Sequence, residues 1–226
     1  MSVVTRRPAT DRVIIRNVNW KTYQRLLKDL ENCSSPRLAF DQGVLEVMSP
    51  HLEHEEANRT LAAIIEIALE ELNINFRNAG STTFKREDLD RGFEPDSSFY
   101  IQNVERIRKK KRIDLETDPP PDLIIEVDLT RDSLNKFRLY AALRVPEVWR
   151  YEDALEIWAL DQTRYRRRQT SLALPILNPQ LVTDLLHSSL TLERPAWFRE
   201  TRKRIRALIT FSSLNQCGRV LAGSQR

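Results

Sequence analysis

Residues 122–128 read Asp122-Leu123-Ile124-Ile125-Glu126-Val127-Asp128. As a strand, this run alternates faces. Leu123, Ile125, Val127 and Leu129 share one apolar face, and Asp122, Ile124, Glu126 and Asp128 share the other. At a rise of about 3.3 Å per residue, Glu126 and Asp128 lie roughly 6.5–7 Å apart on one side. Carboxylates inside an apolar strand are costly unless they are paired, bound to a metal or left in water at an edge.

The flanks narrow these options. Pro119-Pro120-Pro121 precede the strand, where prolines that cannot donate to a ladder are tolerated. Upstream, Glu94-Pro95-Asp96 opens a second acidic strand-like run over 95–101. Downstream, residues 133–143 read as a helix that Asp132 or Ser133 can cap. Lys136 falls in its first turn, where the helix dipole disfavours a cation. Lys136, Tyr140 and Leu143 recur at helical spacing, so Lys136 points inward among apolar neighbours. A lysine so placed, just after a strand ending in carboxylates, implies a partner there.

Glu94-Pro95-Asp96, the Pro121–Asp128 run and the stretch from Lys136 through Tyr140 to Val145-Pro146-Glu147-Val148-Trp149 together resemble the Uma-two family of proposed bacterial endonucleases. Asp41–Pro50 followed by His54 resembles that family's amino-terminal pattern, and the similarity runs from about Asn19 to Tyr165. The family belongs to the PD-(D/E)xK nuclease superfamily. The resemblance implies an α/β, restriction-endonuclease-like mixed β-sheet flanked by α-helices and a metal-dependent phosphodiesterase site. Asp96 and Glu126 match the two family carboxylates, and Lys136 matches the family's lysine relocated to the following helix. Asp128 occupies the usual lysine place and stands as a further metal ligand beside Asp96 and Glu126; His54 and Glu55 are secondary site residues. Two carboxylates suit Mg²⁺ or Mn²⁺, hard ions that keep several waters.

Composition bounds the remainder. A chain of 226 residues, 41% hydrophobic and 30% charged, can bury a sizeable core. No apolar run approaches the ~20 residues of a membrane span, and a cytoplasmic location is the expectation. Cys33 and Cys217 have no metal-ligand spacing, and three histidines disfavour a multi-histidine zinc site. The formal charge of +4 is uneven, with eight basic residues against one acidic between Arg194 and Arg226. That tail is a candidate contact for DNA phosphates, or a solvated helix face.

Along the chain, residues 1–18 read as a loose segment, 19–170 as the restriction-endonuclease-like domain and 171–226 as a basic, helical carboxyl-terminal extension. Trp20, Tyr23, Leu26, Leu27 and Leu30 form a helical stripe that Asn19 can cap. Arg37–Phe40 and Val44–Met48 flank a hairpin loop, Asp41-Gln42-Gly43. A long helix spans about 52–72, with Ala57, Leu61, Ile64, Ala68 and Leu72 inward. Strands are expected at 74–78, 81–86, 95–101, 147–151, 154–160 and 163–168, and helices at 178–188 and 195–209. Arg106–Arg112 is a charge run in solvent or on DNA, and Trp149, Trp158 and Trp197 read as core or interface aromatics. The function these features imply is a metal-dependent DNA endonuclease, with a homodimer admitted. The alternative is a non-catalytic nucleic-acid-binding or assembly module on a degenerate nuclease fold.

Overall fold

The computed structural model describes residues 10–127 and 136–223, with Thr10 and residues 212–223 described by backbone alone. In chain order the elements are β1 (Thr10–Arg16), α1 (Trp20–Asp29), β2 (Arg37–Asp41), β3 (Val44–Pro50), α2 (Leu52–Glu71) and β4 (Arg77–Asn78). Then follow β5 (Phe84–Arg86), β6 (Arg91–Phe93), β7 (Ser97–Tyr100), α3 (Val104–Ile107), β8 (Leu123–Val127) and α4 (Lys136–Ala142). The chain continues through β9 (Glu147–Tyr151), β10 (Leu155–Asp161), β11 (Arg164–Arg168), α5 (Pro179–Ser189) and α6 (Arg194–Gly223).

The strands form two sheets, ordered β1-β3-β2-β6-β5 and β11-β10-β9-β8-β7-β4. Every pairing is antiparallel except β8 with β9. A parallel pair needs a crossover, and α4 lies on the crossover from β8 to β9. The second sheet is therefore mixed, and helices flank it as expected. Among the described residues, no helix is long and apolar enough to cross a membrane.

Local chemistry accounts for several of these elements. Asn19 caps α1 by accepting from Thr22 N at 2.8 Å. The α1 stripe then packs on Phe40 and Leu45, with Tyr23 stacked on Phe40 at 5.0 Å between centroids. The β2–β3 hairpin turns on Gln42 and Gly43, both at positive φ (46° and 93°), the requirement of a two-residue turn matched to strand twist. Asp122 leaves the acidic face of its strand to tie down the chain after β7. Its carboxylate accepts from Ile101 N at 2.7 Å, Asn103 N at 3.0 Å and Asn103 Nδ2 at 2.6 Å.

β8 sits between β7 and β9, so it is not a solvated edge. All five of its residues are buried. The expected alternation holds: Leu123, Ile125 and Val127 join the core around α2, α5 and α6, while Ile124 joins the core under α4. Leu129, Asp128, Asp132 and Ser133 lie outside the described residues.

One segment differs from the sequence expectation. Strand β1 lies within the stretch expected to be loose; its partly exposed Val13, Ile14 and Ile15 carry little burial signal, and pairing with β3 holds it. The carboxyl-terminal extension is helical, as expected, and it packs into the core of the domain. Leu177, Val182, Leu185, Trp197 and Ile205 are fully buried in the same core as α2 and β8. Arg202 pairs with Glu70 at 2.7 Å and Glu71 at 2.9 Å, and Arg206 pairs with Glu71 at 2.6 Å. These two basic residues of the tail are thus engaged in holding α6 to α2.

Candidate active site

The antiparallel register of β7 on β8 places Ser97 opposite Ile125. Continued one residue outward, it sets Asp96 opposite Glu126. Facing positions on such a pair hold their Cβ atoms about 4.5–5.5 Å apart. Asp96 is locked to β8 directly, since its Oδ2 accepts from Val127 N at 2.7 Å. The backbone before β7 is fixed from α2, where Asn58 Nδ2 donates to the Asp96 carbonyl at 3.0 Å and Asn58 Oδ1 accepts from Ser97 Oγ at 2.8 Å.

Lys136, at the start of the described part of α4, reaches back to Glu126 Oε2 at 2.6 Å. One turn on, Tyr140 Oη donates to Glu126 Oε1 at 2.6 Å. The i, i+4 spacing thus delivers a cation and a hydroxyl to the two oxygens of one carboxylate. Both Asp96 and Glu126 are buried.

The first sheet completes the cluster. Arg37, the first residue of β2, forks between Asp96 and Glu55. Glu46 of β3 places Oε1 3.5 Å from Lys136 Nζ and Oε2 3.7 Å from Arg12 Nε. His54 is fully buried at the start of α2, with Nε2 3.2 Å from Asp96 Oδ2. Neither ring nitrogen of His54 has a partner of good hydrogen-bond geometry among the described residues.

The two carboxylates are pushed apart in acidity. Burial alone would raise Asp96, but His54 beside it and the charges of Arg37 and Lys136 hold it below the ordinary aspartate value. Glu126 stands above the ordinary glutamate value: burial and the nearby Asp96 charge outweigh the help of Lys136 and Tyr140. Lys136 is raised despite burial, because Glu126, Glu46 and Asp96 surround it. Opposed environments of this kind cluster at functional sites.

The structure brings Asp96, Glu126, Lys136, His54 and Glu55 into one network, and Asp128 lies outside the described residues. Sequence reasoning missed Arg37 and Glu46. The signal for Glu46 was a charge inside the apolar Val44–Met48 run; Arg37 carries no local signal. Among the described residues, no group of three or more His, Cys, Asp or Glu side chains is gathered as a metal cage. The donor chemistry still fits a hard divalent ion. Asp96 and Glu126 offer only carboxylate oxygens, and the Asp96 charge helps to raise Glu126, so a cation between them relieves that repulsion.

The fold is an α/β one, two sheets flanked by helices, and the restriction-endonuclease-like class follows from the family. The chain belongs to the Uma2 family, whose model, described as "Putative restriction endonuclease", matches residues 20–193. No curated protein matches the chain. Among solved structures it is similar to a crystal structure described as "a putative nuclease belonging to DUF820" from Anabaena variabilis. The two share 14% identity over 84% of this chain and 98% of that one, with a TM-score of 0.45.

Proposed function

We propose that this chain is a metal-dependent endonuclease that hydrolyses phosphodiester bonds in DNA, acting in the cytoplasm. The observation that carries this reading is the buried junction of Asp96, Glu126 and Lys136 at the ends of adjacent strands. Membership of a restriction-endonuclease family supports it.

Asp96 and Glu126 would hold Mg²⁺ or Mn²⁺, with Asp128 as a further ligand. When bound, the ion supplies charge for the phosphate and an acidified water. Asp96 is the carboxylate already ionised for this task. Lys136 keeps its charge and has three N–H donors. Glu126 takes one, which leaves donors for a phosphate oxygen whose charge grows as the water oxygen bonds to phosphorus and the P–O bond to the leaving oxygen breaks. His54 has no exposed surface, which suits positioning of Asp96 rather than proton exchange with solvent. Glu55 holds Arg37 against Asp96.

A second reading has one observation in its favour. Arg37 and Lys136 already neutralise the two carboxylates from within, as a non-catalytic DNA-binding or assembly module on this fold would require. Cleavage of plasmid and single-stranded DNA with Mg²⁺ or Mn²⁺ separates the two. The wild type should cut, and Glu126→Gln, which keeps the side chain's shape, should fold but fail to cut. Equal cleavage by both proteins would remove Glu126 from the reaction, and no cleavage by either would favour the binding module.

A further inference from the structure

The helix that carries Lys136 has a second working face. Lys136 and Tyr140 point to Glu126, whereas Phe137 and Arg138, with Arg144 just beyond the helix, line an open cleft of about 660 Å³ against β10 and β11. Its aromatic lining is Phe137, 5.1 Å from Trp158 and 5.2 Å from Tyr165 between ring centroids, all three half-buried. Trp149 and Trp197 are fully buried by comparison.

The charge on this cleft is of one sign. Arg138, Arg144 and Arg164 are exposed on its rim, and no carboxylate is among its described lining residues. The nearby acids are already engaged: Asp41 with Arg91 at 2.7 Å and with Arg138 at 3.9 Å, Asp161 with Arg166 at 2.6 Å and Glu156 with Arg167 at 3.2 Å. Arg144 donates to the Gln162 carbonyl at 2.8 Å, and neither it nor Arg164 has a carboxylate partner among the described residues.

We infer that this cleft binds a single-stranded segment of DNA, with backbone phosphates on Arg144 and Arg164 and unstacked bases against Trp158 and Phe137; the inference rests on the nuclease reading for its substrate. A duplex offers phosphates but keeps its base faces stacked on one another. Exposed arginines beside half-open aromatic rings suit a strand whose bases are free to stack on protein. α4 then forms the wall between this platform and the carboxylates, so an unpaired strand held here lies one helix away from Lys136.

The test is binding of a labelled oligothymidylate to the full chain in EDTA, where the proposed cleavage does not run. Arg144→Glu/Arg164→Glu alters two exposed side chains. It should weaken binding at least tenfold and lower the log-affinity against log-salt slope by about 1.4, since each single-strand phosphate contact contributes about 0.7. Trp158→Ala should weaken binding roughly tenfold with the slope unchanged, and Trp158→Phe should restore it, as stacking requires. Unchanged affinity and slope in the arginine variant would overturn the inference. So would equal competition by a duplex of the same length. If the wild type never cuts DNA but the arginine and tryptophan effects appear, the cleft stands and the nuclease reading falls. If cleavage depends on Glu126 while these variants bind normally, only the cleft falls.

Discussion

At Lys136, local and tertiary forces give opposite answers about stability. The helix dipole disfavours a cation in a first turn by about 0.3–1 kcal/mol. Yet Lys136 sits 2.6 Å from Glu126 and 3.5 Å from Glu46 in a buried setting, and breaking a buried pair costs about 3–5 kcal/mol because a charge is left uncompensated. The buried pair outweighs the dipole. Lys136→Met should destabilise by about 3–5 kcal/mol in denaturant melts, and Glu126→Gln introduced beside it should recover part of that loss. A Lys136→Met protein as stable as the wild type would show that the pair is not coupled. The same carboxylates set the pH response. Asp96 is held below 3.8, so its contribution is complete above the unfolded value and is lost as pH falls through the lower folded one. Glu126 is raised above 4.5, so the native state keeps a proton longer than the unfolded chain, and stability falls as pH climbs through the window above 4.5. Thermal melts across this range should show a flatter profile above 4.5 for Glu126→Gln, and a weaker acid limb for Asp96→Asn. Glu126 and Lys136 are legible in the sequence because each breaks a local rule, a carboxylate in an apolar strand and a cation at the wrong end of a helix, whereas Asp96 enters through the family resemblance. Arg37 and Glu46 complete the cluster from strands far away in the chain, and only tertiary packing makes them neighbours of Asp96 and Lys136.

Among the elements, periodicity is a good guide where one face is buried and a poor one where several are. The α1 stripe and the β9–β10–β11 meander follow their patterns closely. In α2 the expected stripe of Ala57, Leu61, Ile64, Ala68 and Leu72 is too narrow. Thr60, Ala62, Ile65, Ile67 and Leu69 are buried as well, because α2 packs against β8, α5 and α6 together. Strand β6 is three residues long, too short for any period to register. The basic composition of α6 hides how firmly it is docked. Trp197 is fully buried, and its Nε1 donates to the Leu185 carbonyl at 2.7 Å. Trp197→Ala should therefore cost about 3–5 kcal/mol, as for other large buried aromatics. Arg202→Ala, at a partly exposed ion pair, should cost at most about 1 kcal/mol. Urea melts of the two variants give the comparison, and an order reversed from this one would mean that charge, not burial, holds α6.

For the molecule as a whole, the decisive geometry is that β2 and β3 of one sheet and β7 and β8 of the other deliver their charges to the same place. Arg37 and Glu46 come from the first sheet, Asp96 and Glu126 from the strands and strand ends of the second. A divalent ion arriving there competes with Arg37 and Lys136 for carboxylate oxygens and with the proton favoured by Glu126. Binding to the folded state alone must then raise the melting temperature. At a concentration about 100 times the dissociation constant, the gain is about 2.7 kcal/mol. In a domain of this size, each kcal/mol moves the midpoint by about 2–4 °C, so the expected rise with Mg²⁺ or Mn²⁺ is about 5–10 °C. The shift should grow as pH rises through the Glu126 window, because the competing proton leaves. It should vanish in Asp96→Asn and in Glu126→Gln, and survive in Arg144→Glu, whose side chain lies on the far side of α4. Thermal melts with and without the ion, on protein first stripped with a chelator, measure this without any substrate. A shift that persists in both carboxylate variants would place the ion elsewhere. No shift in the wild type at millimolar ion would leave the internal pairs with Arg37 and Lys136 as the resting chemistry of the site, and would favour the binding module over the enzyme.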